Sequence, residues 1–150
     1  MNQNIKIPFV DLYPQYEELQ SEIDLAIRDI ITRSDYITGP TVEKFEQAIK
    51  DYTGAEACAS IGSGTNALVC ALKALDIGPG HQVMTVGHTF VSTTEAIVNV
   101  GATPVFVDID EFYHLDVNKM ELTDTLKAIL FVDLYGQTPD IDKILSFAKQ

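Results

Sequence analysis

The stretch Ile61-Gly62-Ser63-Gly64-Thr65-Asn66-Ala67-Leu68 decides the predicted fold, because a short apolar segment runs into two glycines and an apolar-periodic helix follows. A strand, a loop of small residues and a helix in this order form one unit of an α/β sheet. The loop also suits an anion, since small residues let backbone N–H groups approach a phosphate. The first helical turn adds unpaired donors and the positive end of the helix dipole. The alternative is a tight turn that binds nothing.

The alternation of strand and helix continues to the end of the chain. Short apolar runs predict strands at 57–61, 82–86, 104–107 and 128–132. Strands separated by helices of about ten residues indicate right-handed crossovers and a parallel sheet that is covered on both faces. We therefore expect an α/β protein with a mostly parallel, doubly wound sheet.

Three helices are predicted between and after these strands. The first covers 66–75, and the second runs from a capping box of Ser92 and Glu95 to Val100, where Gly101 ends it. The third begins at Thr138-Pro139. Its inner face is predicted to carry four apolar residues, Ile141, Ile144, Leu145 and Ala148.

The N-terminal third has a helical pattern of its own. Apolar residues at three-and-four spacing over 16–30 predict an amphipathic helix. A second helix is expected from a cap at Thr41 to Gly54. We expect one domain over 1–150, in which residues 1–55 form a helical lead-in and 56–150 form the βα repeats.

Composition excludes several classes of partner. A formal net charge of −12 repels nucleic acids and anionic membranes, so an anion must be held by local geometry. The two cysteines, Cys58 and Cys70, lie in apolar context and predict buried, reduced thiols. The first residues lack the apolar core of a signal peptide, and we expect a cytoplasmic protein.

Four predicted loops follow the carboxyl ends of the strands, which is where α/β sheets bind ligands. They span 62–66, 87–93, 108–111 and 133–137. In the first, Gly64 and Thr65 offer backbone donors and a hydroxyl for a phosphate. A dinucleotide fingerprint also fits Gly62, Gly64 and Ala67, but 82–87 contains no acid to hold a ribose, so a cofactor with a single phosphate is preferred.

The other loops supply rings and polar groups. Phe90 is predicted either to stack on a planar ligand ring or to cover the core helices. His88, next but one to it, is a candidate for a hydrogen bond to a ligand, although a loop histidine without a ligand is the alternative. The fourth loop adds Tyr135 and Gln137. The acidic residues of the third loop, Asp108, Asp110 and Glu111, favour turn and cap roles over a metal site.

One phosphate, one flat ring and polar groups around it suit pyridoxal 5′-phosphate, and at this point the chain resembles a known family. It is similar to the N-terminal part of sugar aminotransferases of the DegT/DnrJ/StrS family, of the aspartate aminotransferase fold type. The resemblance rests on six stretches in family order and spacing: 7–12, 36–40, 63–68, 88–93, 104–108 and 134–137.

The resemblance implies roles for particular residues. Ser63, Gly64 and Thr65 would hold the cofactor phosphate, and Phe90 would stack on the pyridine ring. A second group would face the nucleotide-sugar substrate: Tyr36, Gly39, Pro40, His88, Tyr135 and Gln137. Asp133 stands where the family often has histidine, which leaves the preferred sugar open.

The resemblance also implies the reaction and what it requires. A pyridoxal-phosphate aminotransferase would move an amino group, with glutamate as the usual donor, to a keto sugar of a nucleotide sugar, as a homodimer. In the family, the lysine that binds the cofactor covalently lies at a position beyond Gln150, so no catalytic residue is expected within this chain, and we expect the chain alone to be inactive. The alternative class is a non-catalytic fragment or interaction module of the same fold.

Overall fold

The computed structural model describes residues 7–150, and the chain divides into two compact units, Met1–Ser60 and Ile61–Gln150. The first unit contains two helices, α1 (Tyr13–Arg33) and α2 (Pro40–Thr53). The second contains α3 (Gly64–Ala74), β1 (Gln82–Val86), α4 (Ser92–Asn99), β2 (Thr103–Val107), β3 (Leu126–Ile129) and α5 (Ile141–Ala148). Among residues 7–150, no helix has the length and apolar character needed to cross a membrane.

The start of α2 differs from the predicted cap. The helix begins at Pro40 after Gly39, whose φ of +132° is open to glycine, and a Cβ at Gly39 would clash with the Asp35 carboxylate. Thr41 lies inside the helix, and its hydroxyl donates to Asp35 Oδ2 at 3.1 Å. The N-cap prediction for Thr41 is therefore wrong, because the local Gly-Pro pair starts the helix two residues earlier.

The sheet of the second unit confirms the parallel prediction. Its three strands have the order β2-β1-β3, and β1 pairs in parallel with both neighbours. Because alternate side chains of a strand face opposite sides, β1 contributes to two cores. Val83 packs in a cluster with Leu72 of α3 and Ile97 of α4. Met84 and Val86 belong to a second cluster on the other face.

The second cluster contains part of α5, and this part differs from the predicted inner face. Ile144 is buried as expected, whereas Leu145 is half exposed and Phe147 packs against the cluster instead. With α3 and α4 on one face and α5 on the other, the sheet is covered on both sides, as the α/β prediction required.

Two smaller predictions are wrong. The predicted strand over 57–61 does not form, since a strand needs a neighbour for its backbone hydrogen bonds and the sheet of the described residues offers none there. Cys70 is exposed on α3 and Cys58 is partly buried, so the thiols are not both buried.

Candidate functional site

A cavity of about 600 Å³ lies at the carboxyl end of the sheet and is lined in part by the first predicted loop. We call it the glycine-loop cavity; its walls include Gly64 and Thr65 of α3, Phe90 and Ser92 of the loop and helix after β1, and Val132. The fold thus brings two of the three predicted phosphate residues, Gly64 and Thr65, and the predicted stacking ring to one cavity, whereas Ser63 does not line it. Phe90 is 75% exposed, which removes the alternative that it covers the core.

The start of α3 gives this cavity its hydrogen-bond donors. Ser63 is the N-cap, and its hydroxyl accepts a hydrogen bond from the Asn66 amide at 3.2 Å. The amides of Gly64 and Thr65 occupy the first two helical positions, where no carbonyl of the same helix is in reach. A Cβ built on Gly64 meets no atom within 4 Å. The unpaired amides of Gly64 and Thr65 therefore lie next to open space, an arrangement that can accommodate a phosphate group.

Hydroxyl pairs line the same cavity. The Thr65 hydroxyl donates to Ser92 Oγ at 2.7 Å, and the hydroxyls of Thr89 and Thr93 lie 3.0 Å apart. The capping box predicted for Ser92 is wrong: α4 has Val91 as its N-cap, without a side-chain cap bond. The Ser92 hydroxyl faces Thr65 because α3 packs beside α4, a tertiary contact between residues far apart in sequence.

A second cavity, of about 230 Å³, adjoins the first through Thr89. We call it the aromatic cavity, since Gly87, His88, Thr89, Leu134 and Tyr135 line it. It brings together two residues predicted from different loops, His88 and Tyr135, whose ring centres are 6.5 Å apart. Gln137, two residues after Tyr135, does not line either of these two cavities.

Tyr113 completes this aromatic group, and the sequence reasoning missed it. Its ring stacks on His88 with centres 5.3 Å apart and meets Tyr135 edge to face at 5.8 Å. Both tyrosines have left-handed backbone, with φ of +68° for Tyr113 and +58° for Tyr135. Such conformations are costly for aromatic residues and are concentrated at functional sites. A tyrosine inside an acidic loop gives no sequence signal for this role.

The acidic residues of the third loop have structural partners. Asp108 accepts from Lys119 Nζ at 3.1 Å, and this hydrogen bond, with help from the Ile109 amide, lowers the pKa of the Asp108 carboxyl. Asp110 Oδ1 accepts from the amides of Phe112 and His114. These are the turn roles that the sequence favoured. Within residues 7–150, no group of three or more potential ligands could hold a metal ion.

The remaining predicted substrate residues lie in the first unit. Tyr36 is exposed after α1, and Gly39 and Pro40 form the start of α2. These three residues belong to the first unit, and the role of Tyr36, Gly39 and Pro40 in substrate binding stays a prediction.

The parallel sheet defines an α/β protein, and the two cavities lie beyond its strand ends, where ligands bind in this class of fold. Residues 17–150 match the model of the DegT/DnrJ/EryC1/StrS aminotransferase family, and the chain belongs to this family. The sequence resemblance to sugar aminotransferases is thereby confirmed.

Individual relatives support the same assignment. The chain is 41% identical to the UDP-2-acetamido-2-deoxy-3-oxo-D-glucuronate aminotransferase of Pseudomonas aeruginosa, over 96% of this chain and 41% of that protein. The crystal structure of S. venezuelae DesV matches with 37% identity and a TM-score of 0.91, over 96% of this chain and 40% of that one. NtdA of Bacillus subtilis, crystallised with bound cofactor PMP, matches with 29% identity and a TM-score of 0.92, over 99% of this chain and 35% of that one. The chain thus spans about 40% of the length of the curated relative and of the DesV chain.

Proposed function

We propose that the glycine-loop cavity binds pyridoxal 5′-phosphate and that the protein is an aminotransferase for nucleotide-linked keto sugars. The observation that carries the proposal is the shared cavity of Gly64, Thr65 and Phe90, which joins unpaired amide donors to an exposed aromatic ring. Relatives that are named as nucleotide-sugar aminotransferases, and one crystallised with PMP, support it.

Each residue has a defined part in the proposed site. The amides of Gly64 and Thr65 and the hydroxyls of Ser63 and Thr65 donate hydrogen bonds to the phosphate, and the helix dipole of α3 favours its charge. Phe90 stacks on the pyridine ring and excludes water from one face. When bound, the cofactor supplies the electron sink that amino transfer needs, while the protein binds and orients the cofactor and provides the electrostatic environment around it.

The aromatic cavity is proposed to face the sugar. His88 and Tyr135 place an imidazole and a phenol beside the proposed cofactor site, and both groups can hydrogen-bond hydroxyls or a keto oxygen. Gln137, Tyr36 and the Gly39-Pro40 turn are proposed to contact the substrate as the family resemblance implies. Glutamate is the proposed amino donor, as in the resembling family.

We extend the proposal to a cytoplasmic homodimer. Ile27 and Ile31, one turn apart on α1, are both exposed, and an apolar surface of this kind suits association with a second copy. Light scattering during size-exclusion chromatography measures the mass. A mass of one chain over a wide range of concentrations would contradict the dimer.

No lysine within residues 7–150 lines either cavity. We therefore propose that these residues hold the cofactor without a covalent bond. Borohydride treatment of the chain with pyridoxal phosphate, followed by mass spectrometry, should yield no stoichiometric lysine adduct at the site. A single modified lysine at full yield would contradict this part of the proposal.

A titration tests the proposed cofactor site. Amide resonances of Gly64 and Thr65 should shift on addition of pyridoxal phosphate, and less with pyridoxal, which lacks the phosphate. Thr65→Val should weaken pyridoxal phosphate binding, because it removes a hydroxyl that is proposed to donate a hydrogen bond to the phosphate. Ser146→Ala is the matched control, since it removes a hydroxyl that bonds only the Asp142 carbonyl of α5. Equal affinities for pyridoxal phosphate and pyridoxal would refute the phosphate site, and binding of neither would favour the non-catalytic alternative.

A further inference from the structure

We propose that Ser92 is a positioning residue that holds the Thr65 hydroxyl in the orientation needed to donate to a phosphate. The inference rests on the proposed function and adds a residue outside the phosphate contacts that the family resemblance implied. The hydrogen bond of 2.7 Å between Thr65 Oγ1 and Ser92 Oγ carries it.

Thr65 needs such support because of its place in α3. Thr65 follows no earlier helical turn, so no carbonyl of the same helix is available to hold its hydroxyl in one rotamer. Thr65 is the second residue of α3 and is only partly buried, so packing alone does not fix it. The bond to Ser92 selects the rotamer that places Oγ1 on the side of α4 and the cavity.

Ser92 is suited to this task by its own surroundings. It is 8% exposed and begins α4, whose Ala96 and Ile97 are fixed in the apolar core with Val83. A serine on a helix that is anchored in this way has little freedom to move. The Ser92 hydroxyl thus links the position of Thr65 to the apolar core of the second unit.

The direction of the hydrogen bond can invert when a ligand arrives. In the structure Thr65 donates and Ser92 accepts. A phosphate dianion only accepts, so the Thr65 proton must turn toward it. A hydroxyl has one donor and two acceptor sites, and Ser92 can then donate to Thr65. The pair stays satisfied in both states, with no buried oxygen left without a partner.

Two measurements on four variants test the inference. The variants are Ser92→Ala, Thr65→Val, the double variant and the control Ser146→Ala. The first measurement, without ligand, is the Thr65 Hα–Hβ coupling constant, which reports its rotamer. It should indicate one rotamer in the wild type and an average of rotamers in Ser92→Ala. The second is the dissociation constant for pyridoxal phosphate, inorganic phosphate and pyridoxal.

The expected result is a loss of phosphate affinity that depends on Thr65. Ser92→Ala should weaken pyridoxal phosphate and inorganic phosphate by about twofold to tenfold, the range of one hydrogen bond. Pyridoxal affinity should not change. In the Thr65→Val background, Ser92→Ala should have no further effect, because the group on which it acts is gone.

Each other outcome has a distinct meaning. An unchanged Thr65 coupling constant in Ser92→Ala overturns the inference, as do additive effects or an equal loss of pyridoxal affinity. If the wild type binds neither phosphate nor pyridoxal phosphate, the proposed function fails. The coupling constant then still decides whether Ser92 positions Thr65.

Discussion

Replacing Gly64 by alanine should separate the stability of the protein from its ligand binding. Gly64 is the first residue of α3, its φ is not positive, and a Cβ there meets no atom within 4 Å. Alanine is a better helix former than glycine, so the free energy of unfolding should stay constant or rise by up to about 1 kcal/mol. The new methyl group, however, would occupy the space proposed for the phosphate.

The expected loss of binding follows from the size of that group. One methyl group too many in a fitted pocket costs about 1–3 kcal/mol, which is about 10- to 200-fold in affinity. Urea unfolding measures the stability, and a titration with pyridoxal phosphate followed by the Thr65 amide resonance measures the affinity. Gly78→Ala is the matched control, because its Cβ makes only an ordinary contact of 3.6 Å with the Val100 carbonyl, away from both cavities.

Either of two results would refute this reasoning. An unchanged affinity in Gly64→Ala would mean that the phosphate does not approach the start of α3. A lower free energy of unfolding would mean that the space around Gly64 is needed by the protein itself. The prediction holds only if stability is kept and affinity is lost in the same variant.

Three further predictions concern the core, the acidic loop and the aromatic group. Ile97→Ala should lower the free energy of unfolding by about 2–5 kcal/mol, since Ile97 is fully buried; a loss below about 1 kcal/mol would contradict this. Lys119→Gln should reduce the loss of stability on acidification, measured as the urea midpoint at neutral pH and at about pH 3. The hydrogen bond from Lys119 lowers the Asp108 pKa, so this bond stabilises the folded state at neutral pH and the stabilisation is lost as the Asp108 carboxylate protonates. An unchanged pH dependence of stability in Lys119→Gln would contradict the pairing. Tyr113→Asn, which tolerates left-handed backbone, should move the His88 ring protons downfield in the NMR spectrum because the stacked ring is gone; identical shifts would show that the two rings do not stack in solution.

Local patterns in the sequence were sufficient for most elements. The strand at 82–86 was predicted with its observed bounds, because a short apolar run beside a turn leaves few alternatives. Gly54 and Gly101 were correctly predicted to follow helix ends, and both have the left-handed backbone that glycine accepts at low cost. Gly64, Thr65 and Phe90 were named as site candidates for the same local reasons. The structure places them around one cavity.

Two of the predictions that failed depended on a partner elsewhere in the chain. Ser92 with Glu95 has the spacing of a capping box, but a sequence pattern does not show that the serine faces Thr65, 27 residues earlier. The apolar run at 57–61 has strand composition, but a strand also needs a neighbour to accept its hydrogen bonds. Neither partner can be read from the pattern itself.

The sequence by itself determined most of the helices and strands and the parallel α/β class, because these depend on short-range periodicity, caps and backbone freedom. The anion-binding role of the loop before α3 stays a prediction. Only the tertiary structure decided that Ser92 bonds Thr65 and that Tyr113 stacks on His88. Both contacts join residues that are far apart along the chain, so no helical or strand periodicity in the sequence predicts them. They exist because the packing of α3, α4 and the sheet brings those side chains within a few ångströms of each other.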